Sequence, residues 1–517
     1  MPAKKAAVKR PRKAAAELTT AQRLGAVVKS ARDIMRKDKG LSGDLDRLPM
    51  LTWIMFLKFL DDLEQEREIH AQLAGDKFRP VIPPPYRWRD WAADPQGLTG
   101  DELISFINGE QCVRPDGKRG VGLFAFLRGL VGAADSREVI ATVFSGVENR
   151  MRSGYLLRDV IDKVDTIHFN SSEELHTLGT LYEGMLREMR DAAGDSGEFY
   201  TPRPVVRFMI EAMDPRLGEV VEDPAAGTGG FLVEAFKHLS QQVKTVADRK
   251  TLQTTSIQGI EAKGLPYLLC QMNLLLHGLQ APRIDPGNAL RHKLTEVGDK
   301  ERVDVIVTNP PFGGAEEKGI QDNFPQDKRC AETALLFLQL IMRKLRRGPK
   351  PGRAAVVVPN GTLFGDGVSA RIKEEMLKDF NLHTIVRLPN GTFAPYTGIP
   401  TNILFFDRTG PTKEVWYYEH ALPEGRKNYT KTQPIQFEEF APCLAWWNQR
   451  EENERAWKVP VAELLANGCN LDRKNPNAKE DITHLPPEQL AASILEKEKR
   501  IAEIIGGIQK LLGKGEA

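Results

Sequence analysis

Cysteine is scarce and scattered. The chain has five in 517 residues (Cys112, Cys270, Cys330, Cys443 and Cys469), and no two form a C-x-x-C pair. That argues against a disulfide framework and against a zinc site, and it points to a reducing, cytoplasmic setting. The nine histidines show no H-x-x-x-H, so no metal is expected. No apolar run approaches the roughly 20 residues that a membrane-spanning helix needs, so no membrane association is expected. The N-terminus lacks the apolar segment of a secretory signal. A charge of one sign is missing too: the net formal charge is +2, so overall charge says little about a nucleic-acid partner. There is no G-x-x-x-x-G-K-S/T, which argues against ATP at a phosphate-binding loop.

What is present is ordinary soluble-protein composition, 41% hydrophobic and 27% charged, on a chain long enough for two or three domains. Residues 1–17 carry six Lys or Arg against Glu17 and are expected to be a disordered basic tail. From residue 18 to about 165 the apolar residues recur at three- and four-residue steps, which predicts a mostly helical domain. Residues 166–420 then alternate strand and helix. This predicts an α/β, doubly wound, mostly parallel sheet, with closely spaced last strands forming an antiparallel edge. From 421 the alternation stops, and the chain ends in a helix. Its stripe of Leu490, Ile494, Ile501, Ile504, Ile508 and Leu511 suits packing on a partner helix.

Within the α/β region one stretch organises the rest: Val303-Asp304-Val305-Ile306-Val307-Thr308-Asn309-Pro310-Pro311-Phe312. The first six residues predict a buried strand. Pro310 and Pro311 end it at once, since neither has an N–H for a ladder, and they fix the backbone around them. The Asn309 side-chain oxygen and the Pro310 carbonyl then form two acceptors for an exocyclic amine, and Phe312 can stack on its ring. This lies at the carboxyl end of a strand, where ligands bind in open α/β sheets. Residues 313–330, Gly-rich and charged, predict a mobile loop over the site.

Upstream, Glu222-Asp223-Pro224-Ala225-Ala226-Gly227-Thr228-Gly229-Gly230 leads from a short strand into a helix. The dinucleotide fingerprint would require Gly at Leu232, so an acid followed by G-x-G, the turn that holds S-adenosylmethionine, fits better. Asp223 supplies a carboxylate for the cofactor ammonium. Glu261, at the tip of the next strand, is placed for the ribose hydroxyls. Asn288 is a candidate for the cofactor's adenine edge. Gly194 to Pro204 (GDSGEFYTPRP), taken alone, reads as an interdomain loop before a helix.

Four stretches, GEFYTPRP, DPAAGTGGF, NPPFGG and LPNGTFAPYTGIPTNILFF, stand in the order found in the modification subunits of type I restriction-modification systems. The chain resembles that family of adenine-N6 DNA methyltransferases over about residues 18–410. The resemblance implies that Glu198, Phe199, Tyr200, Thr201, Pro202 and Arg203 line the S-adenosylmethionine pocket. Asp223, Gly227, Thr228, Gly229 and Gly230 would be its floor. Asn309, Pro310, Pro311 and Phe312 would hold a flipped adenine in double-stranded DNA, with Phe393 supporting the base from its other side. It also implies a specificity subunit that reads the DNA sequence, a second copy of this chain, and a restriction subunit for cleavage. Two rivals use related parts: methylation of a protein glutamine or an RNA base, and a scaffold with a dead site.

Overall fold

A computed structural model describes residues 19–75, 77–130, 136–169, 172–193, 200–477 and 487–512. The basic tail lies outside these. The chain divides into two units, Met1–Lys474 and Asn475–Ala517.

The first unit opens with the expected helices, the longest being Thr20–Met35, Asp44–Ala74 and Gly154–Asp165. Thr19 caps the first of these, accepting from Gln22 N–H while the Gln22 side chain reaches back to the Thr19 N–H. The helix Ser172–Ala193 then joins this lobe to the sheet. Tyr182 and Thr52 hydroxyls lie 3.2 Å apart, and Arg32 pairs with Glu188 at 2.8 Å. The lobe also carries a two-stranded ribbon, β1 (Cys112–Val113) and β2 (Arg119–Gly120).

Nine strands form the main sheet: β3 (Val221–Asp223), β4 (Ile257–Ile260), β5 (Arg283–Asp285), β6 (Val305–Thr308), β7 (Arg353–Pro359), β8 (Asn381–Leu388), β9 (Thr401–Asp407), β10 (Glu414–Glu419) and β11 (Ala456–Pro460). Their order is β11-β10-β8-β9-β7-β6-β3-β4-β5. All pairs from β5 to β7 are parallel, as is β8 with β10. β6 is buried along its whole length and central. Val305 and Val307 join one core with the helices Arg203–Met213, Gly230–Ser240 and Gly264–Leu276 and the N-terminal lobe. Ile306 joins the other, beneath Thr333–Lys344 and Val368–Asp379. That two-sided burial is why the sequence there is an unbroken apolar run.

The sheet has an antiparallel edge, and it is β11, drawn from residues beyond 420. β9 is also antiparallel, but it is interior, seated between β7 and β8. Residues 389–400 therefore leave β8 and enter β9 at one rim of the sheet. Residues 313–330, expected as a mobile loop, carry a helical turn at Lys318–Gln321 and are closed by an Ala315–Glu332 bridge and a Glu316 N–H to Ala331 carbonyl bond of 3.0 Å.

In the second unit the helix Pro487–Leu512 exposes Ile494, Leu495, Ile501, Ile504 and Ile505. Among the described residues no helix is long and apolar enough to cross a membrane.

Candidate active site

The carboxyl ends of β3, β4 and β6 come to one level because β3 pairs in parallel with both neighbours, Asp223 opposite Gly259 and Glu222 opposite Ile306. Asp223 ends β3 and is 1% exposed. Its Oδ1 accepts from the Thr308 hydroxyl at 2.7 Å and from Ala225 N–H at 3.0 Å. The Asp223–Gly230 turn is thus tied to the strand that delivers Asn309. Burial pushes the Asp223 carboxyl up to about 7; the two hydrogen bonds oppose this, and the nearby charges of Glu261 and Glu222 add to it.

The turn itself bends through left-handed backbone at Gly227 (φ +55°) and Gly229 (φ +78°). Gly227 N–H donates to Glu261 Oε2 at 2.8 Å, and Lys263 N–H to its Oε1 at 2.8 Å. Both bonds fix the carboxylate at the tip of β4. A Cβ on Gly229 would sit 2.8 Å from Cys270 Sγ, and one on Gly230 would sit 1.8 Å from Arg203 Nη1. These positions carry glycine because side chains already fill the space behind the turn.

Arg203 fills it from the FYTPRP segment. Its guanidinium lies 4.3 Å over the Tyr200 ring and pairs with Glu183, at 2.6 Å from Nε and 3.1 Å from Nη2. It also donates to the Thr201 carbonyl (3.2 Å) and the Thr228 hydroxyl (3.4 Å). Arg203 therefore braces the turn from behind. Pro202 is buried and caps the helix Arg203–Met213, its carbonyl accepting from Val205 and Val206 N–H. Glu198 and Phe199 lie outside the described residues.

Asn309 follows β6 directly. Its Nδ2 donates to Thr201 Oγ1 at 3.2 Å, while its Oδ1 is buried with no hydrogen-bond partner. Pro310 is buried and Pro311 half-buried, holding the turn rigid. Phe312 is half-buried and meets Phe393 edge-to-face, centroids 5.5 Å apart at 76°. Phe393 is 4% exposed. It reaches this rim because the β8–β9 loop begins and ends there. Asn288 stands apart from this cluster, three residues past β5, where its Oδ1 accepts from Leu290 N–H at 2.8 Å and shapes its own turn.

Four residues complete the site without having been singled out. Thr308 reads as the last strand residue, yet its hydroxyl holds Asp223. Glu183 borders the buried stripe of its helix, next to Tyr182, and that position of an acid beside an apolar face was its signal. Asn273 donates to Glu183 Oε1 (2.7 Å) and to the Thr228 carbonyl (2.9 Å). Tyr396 lies 6.2 Å from Phe312 at 42° and adds a third ring.

The family described as N-6 DNA Methylase matches residues 173–484, and the one described as HsdM N-terminal domain matches residues 24–164. The EcoEI methylase subunit of Escherichia coli, a type I restriction enzyme subunit, is 48% identical over 95% of this chain and 98% of its own length. The StySJI methylase subunit of Salmonella typhimurium is 30% identical over 72% of each chain. A modification subunit from Vibrio vulnificus YJ016, solved by crystallography, is 68% identical, with a TM-score of 0.80 over 91% of this chain and all of that one. A chain from a structure of the assembly of a type I restriction-modification system is 41% identical, with a TM-score of 0.79 over 97% of this chain and all of that one. With the catalytic and N-terminal regions both matched, and matched at full length, this chain belongs to the N-6 DNA methylase family as a type I restriction-modification methylase subunit.

Proposed function

We propose that the Asn309–Phe312 turn grips an adenine extruded from double-stranded DNA and presents its N6 to S-adenosylmethionine held on the Asp223–Gly230 turn. The observation that carries this is the Asn309 Oδ1: a buried acceptor without a partner, fixed at the carboxyl end of the central strand beside that turn. An unsatisfied buried acceptor is costly, and an incoming amine satisfies it.

The fit to the cofactor rests on the same geometry. Two buried carboxylates, Asp223 and Glu261, sit at a glycine turn in each other's field, and burial, with the neighbouring carboxylate charges, keeps Asp223 from ionising freely. A cationic ligand with vicinal hydroxyls suits that pair: Asp223 faces the positive charge, and the Glu261 carboxylate accepts from the hydroxyls. Tyr200, against the Arg203 guanidinium, and Thr201, bonded to it through its carbonyl, stand beside the turn. Asn288, its oxygen engaged, has Nδ2 to donate to a ring nitrogen of the cofactor's adenine. When bound, S-adenosylmethionine supplies a methyl group already activated by its sulfonium.

The chain's own residues do the rest. Asn309 Oδ1 and the Pro310 carbonyl accept the two N6 hydrogens, which draws the nitrogen toward tetrahedral geometry and frees its lone pair from the ring. Phe312 holds the base plane. Pro310 and Pro311 keep the carbonyl from turning away. Phe393, expected on the other side of the base, instead packs edge-to-face on Phe312 and braces that ring. Catalysis is positioning and electrostatics, with no strong base needed before attack.

The assembled enzyme comprises a specificity subunit that reads the sequence, a second copy of this chain, and a restriction subunit for cleavage, all on duplex DNA. The five cysteines are free thiols, which suits work in the cytoplasm. The test is methyl transfer to a duplex by the complex with its specificity subunit. Asn309→Ala should lower kcat by about a hundredfold or more while cofactor affinity holds. Retention of native kcat would sink this reading.

A further inference from the structure

We propose that Thr201 is a positioning residue for methyl transfer, and that the Glu183–Arg203 ion pair is the post that holds it in place. The inference rests on the reading of Asn309 given above.

An asparagine amide turns easily about its last torsion, which has broad, roughly two-fold wells. Presented the wrong way round, Asn309 would offer N–H groups to an amine that has none to accept them. Something must fix its plane. Among the described residues, the Asn309 side chain makes one hydrogen bond, which its Nδ2 donates to Thr201 Oγ1, 108 positions away in sequence. With Nδ2 tied there, Oδ1 is the end directed at the target.

Thr201 lies outside any helix or strand, so its own position needs support. Arg203 supplies it through the Thr201 carbonyl, 3.2 Å from Nη1. Arg203 is in turn held on three sides: by Glu183, by the Tyr200 ring beneath it, and by the bare Cα of Gly230. Glu183 also takes the Asn273 amide, which bonds the Thr228 carbonyl in the cofactor turn. One partly buried carboxylate therefore sets both the cofactor turn and, two bonds further on, the Asn309 amide. Burial works against its charge, but the Arg203 guanidinium and the bonds from Arg203 and Asn273 outweigh it and keep the carboxyl below its usual range.

If Thr201 served only as a cofactor contact, its loss would weaken cofactor binding and leave turnover at saturation intact. Positioning gives the opposite split. The experiment uses the complex with its specificity subunit and measures kcat at saturating duplex and cofactor, cofactor Kd by calorimetry, and Tm. Thr201→Val keeps the shape and removes the oxygen; it should lower kcat about tenfold to a hundredfold, as a misaligned reacting group does, with cofactor Kd near native. Thr201→Ser should restore kcat. Glu183→Gln should lower kcat as well, and the double variant Glu183→Gln/Thr201→Val should lose less than the product of the two single losses, because the two share the Thr201 contact even though Glu183 also holds the turn through Asn273. Should Glu183→Gln fail to fold, the Val and Ser variants decide. A Thr201→Val enzyme with native kcat and a weakened cofactor Kd overturns the proposal, as do losses that multiply in the double variant. Asn309→Ala serves as the control: if it stays active, the reading of the base pocket fails rather than this link alone.

Discussion

Asp223 carries its charge with difficulty, and that has consequences for binding and for stability. Its folded pKa, about 7, stands above the ordinary 3.8. A carboxyl raised on folding contributes stability below its unfolded pKa, and that contribution is lost as pH rises through the folded value, here from about 3.8 to about 7. A bound cation reverses the preference. Cofactor binding near neutrality should therefore expel a proton and tighten as pH rises through 7. Calorimetry in two buffers of different ionisation enthalpy reads this directly, and Asp223→Asn should abolish the buffer dependence. Thr308→Val removes the hydroxyl that Asp223 relies on. At pH 8, where the carboxylate is ionised, urea unfolding should show a loss of about 1–3 kcal/mol, and at pH 5 the loss should shrink.

At the scale of the turn and the helices around it, the tightest constraint is the contact between Gly230 and Arg203. Gly230→Ala places a Cβ where Nη1 now lies. Arg203 must move, and Glu183, partly buried, loses its partner. Leaving a partly buried charge without its hydrogen bonds costs about 1–3 kcal/mol, so thermal unfolding should fall by several degrees and cofactor protection should weaken. The glycine turn and the Asn-Pro-Pro-Phe turn were legible in the sequence because their chemistry is local: each residue's conformational rule operates on its neighbours. Glu183 and Asn273 were not, because a charge on a helix gains meaning only from what the fold brings against it. The same holds for β9 and β11. Alternation predicts a strand over Thr401–Phe406, but its direction and its interior seat are settled by pairing across the sheet, and β11 follows a stretch with no alternation to announce it.

For the whole molecule, the first unit contains both cores, and its last stretch is anchored: Leu471 N–H bonds the Leu363 carbonyl at 2.8 Å, and the Leu471 carbonyl accepts from the Tyr417 hydroxyl at 3.0 Å. A chain ending at Lys474 keeps these. It should fold, give near-native thermal unfolding and bind cofactor, yet fail to co-purify with the specificity subunit, on our proposal that the exposed isoleucines of Pro487–Leu512 are the contact. Retained co-purification would move that contact into the first unit. The reversed direction of β9 has an evolutionary reading. A hairpin planted between two neighbours can be lengthened, trimmed or rewritten without rethreading a single strand. The lip around the guest nucleobase is then open to drift while the frame underneath stays put.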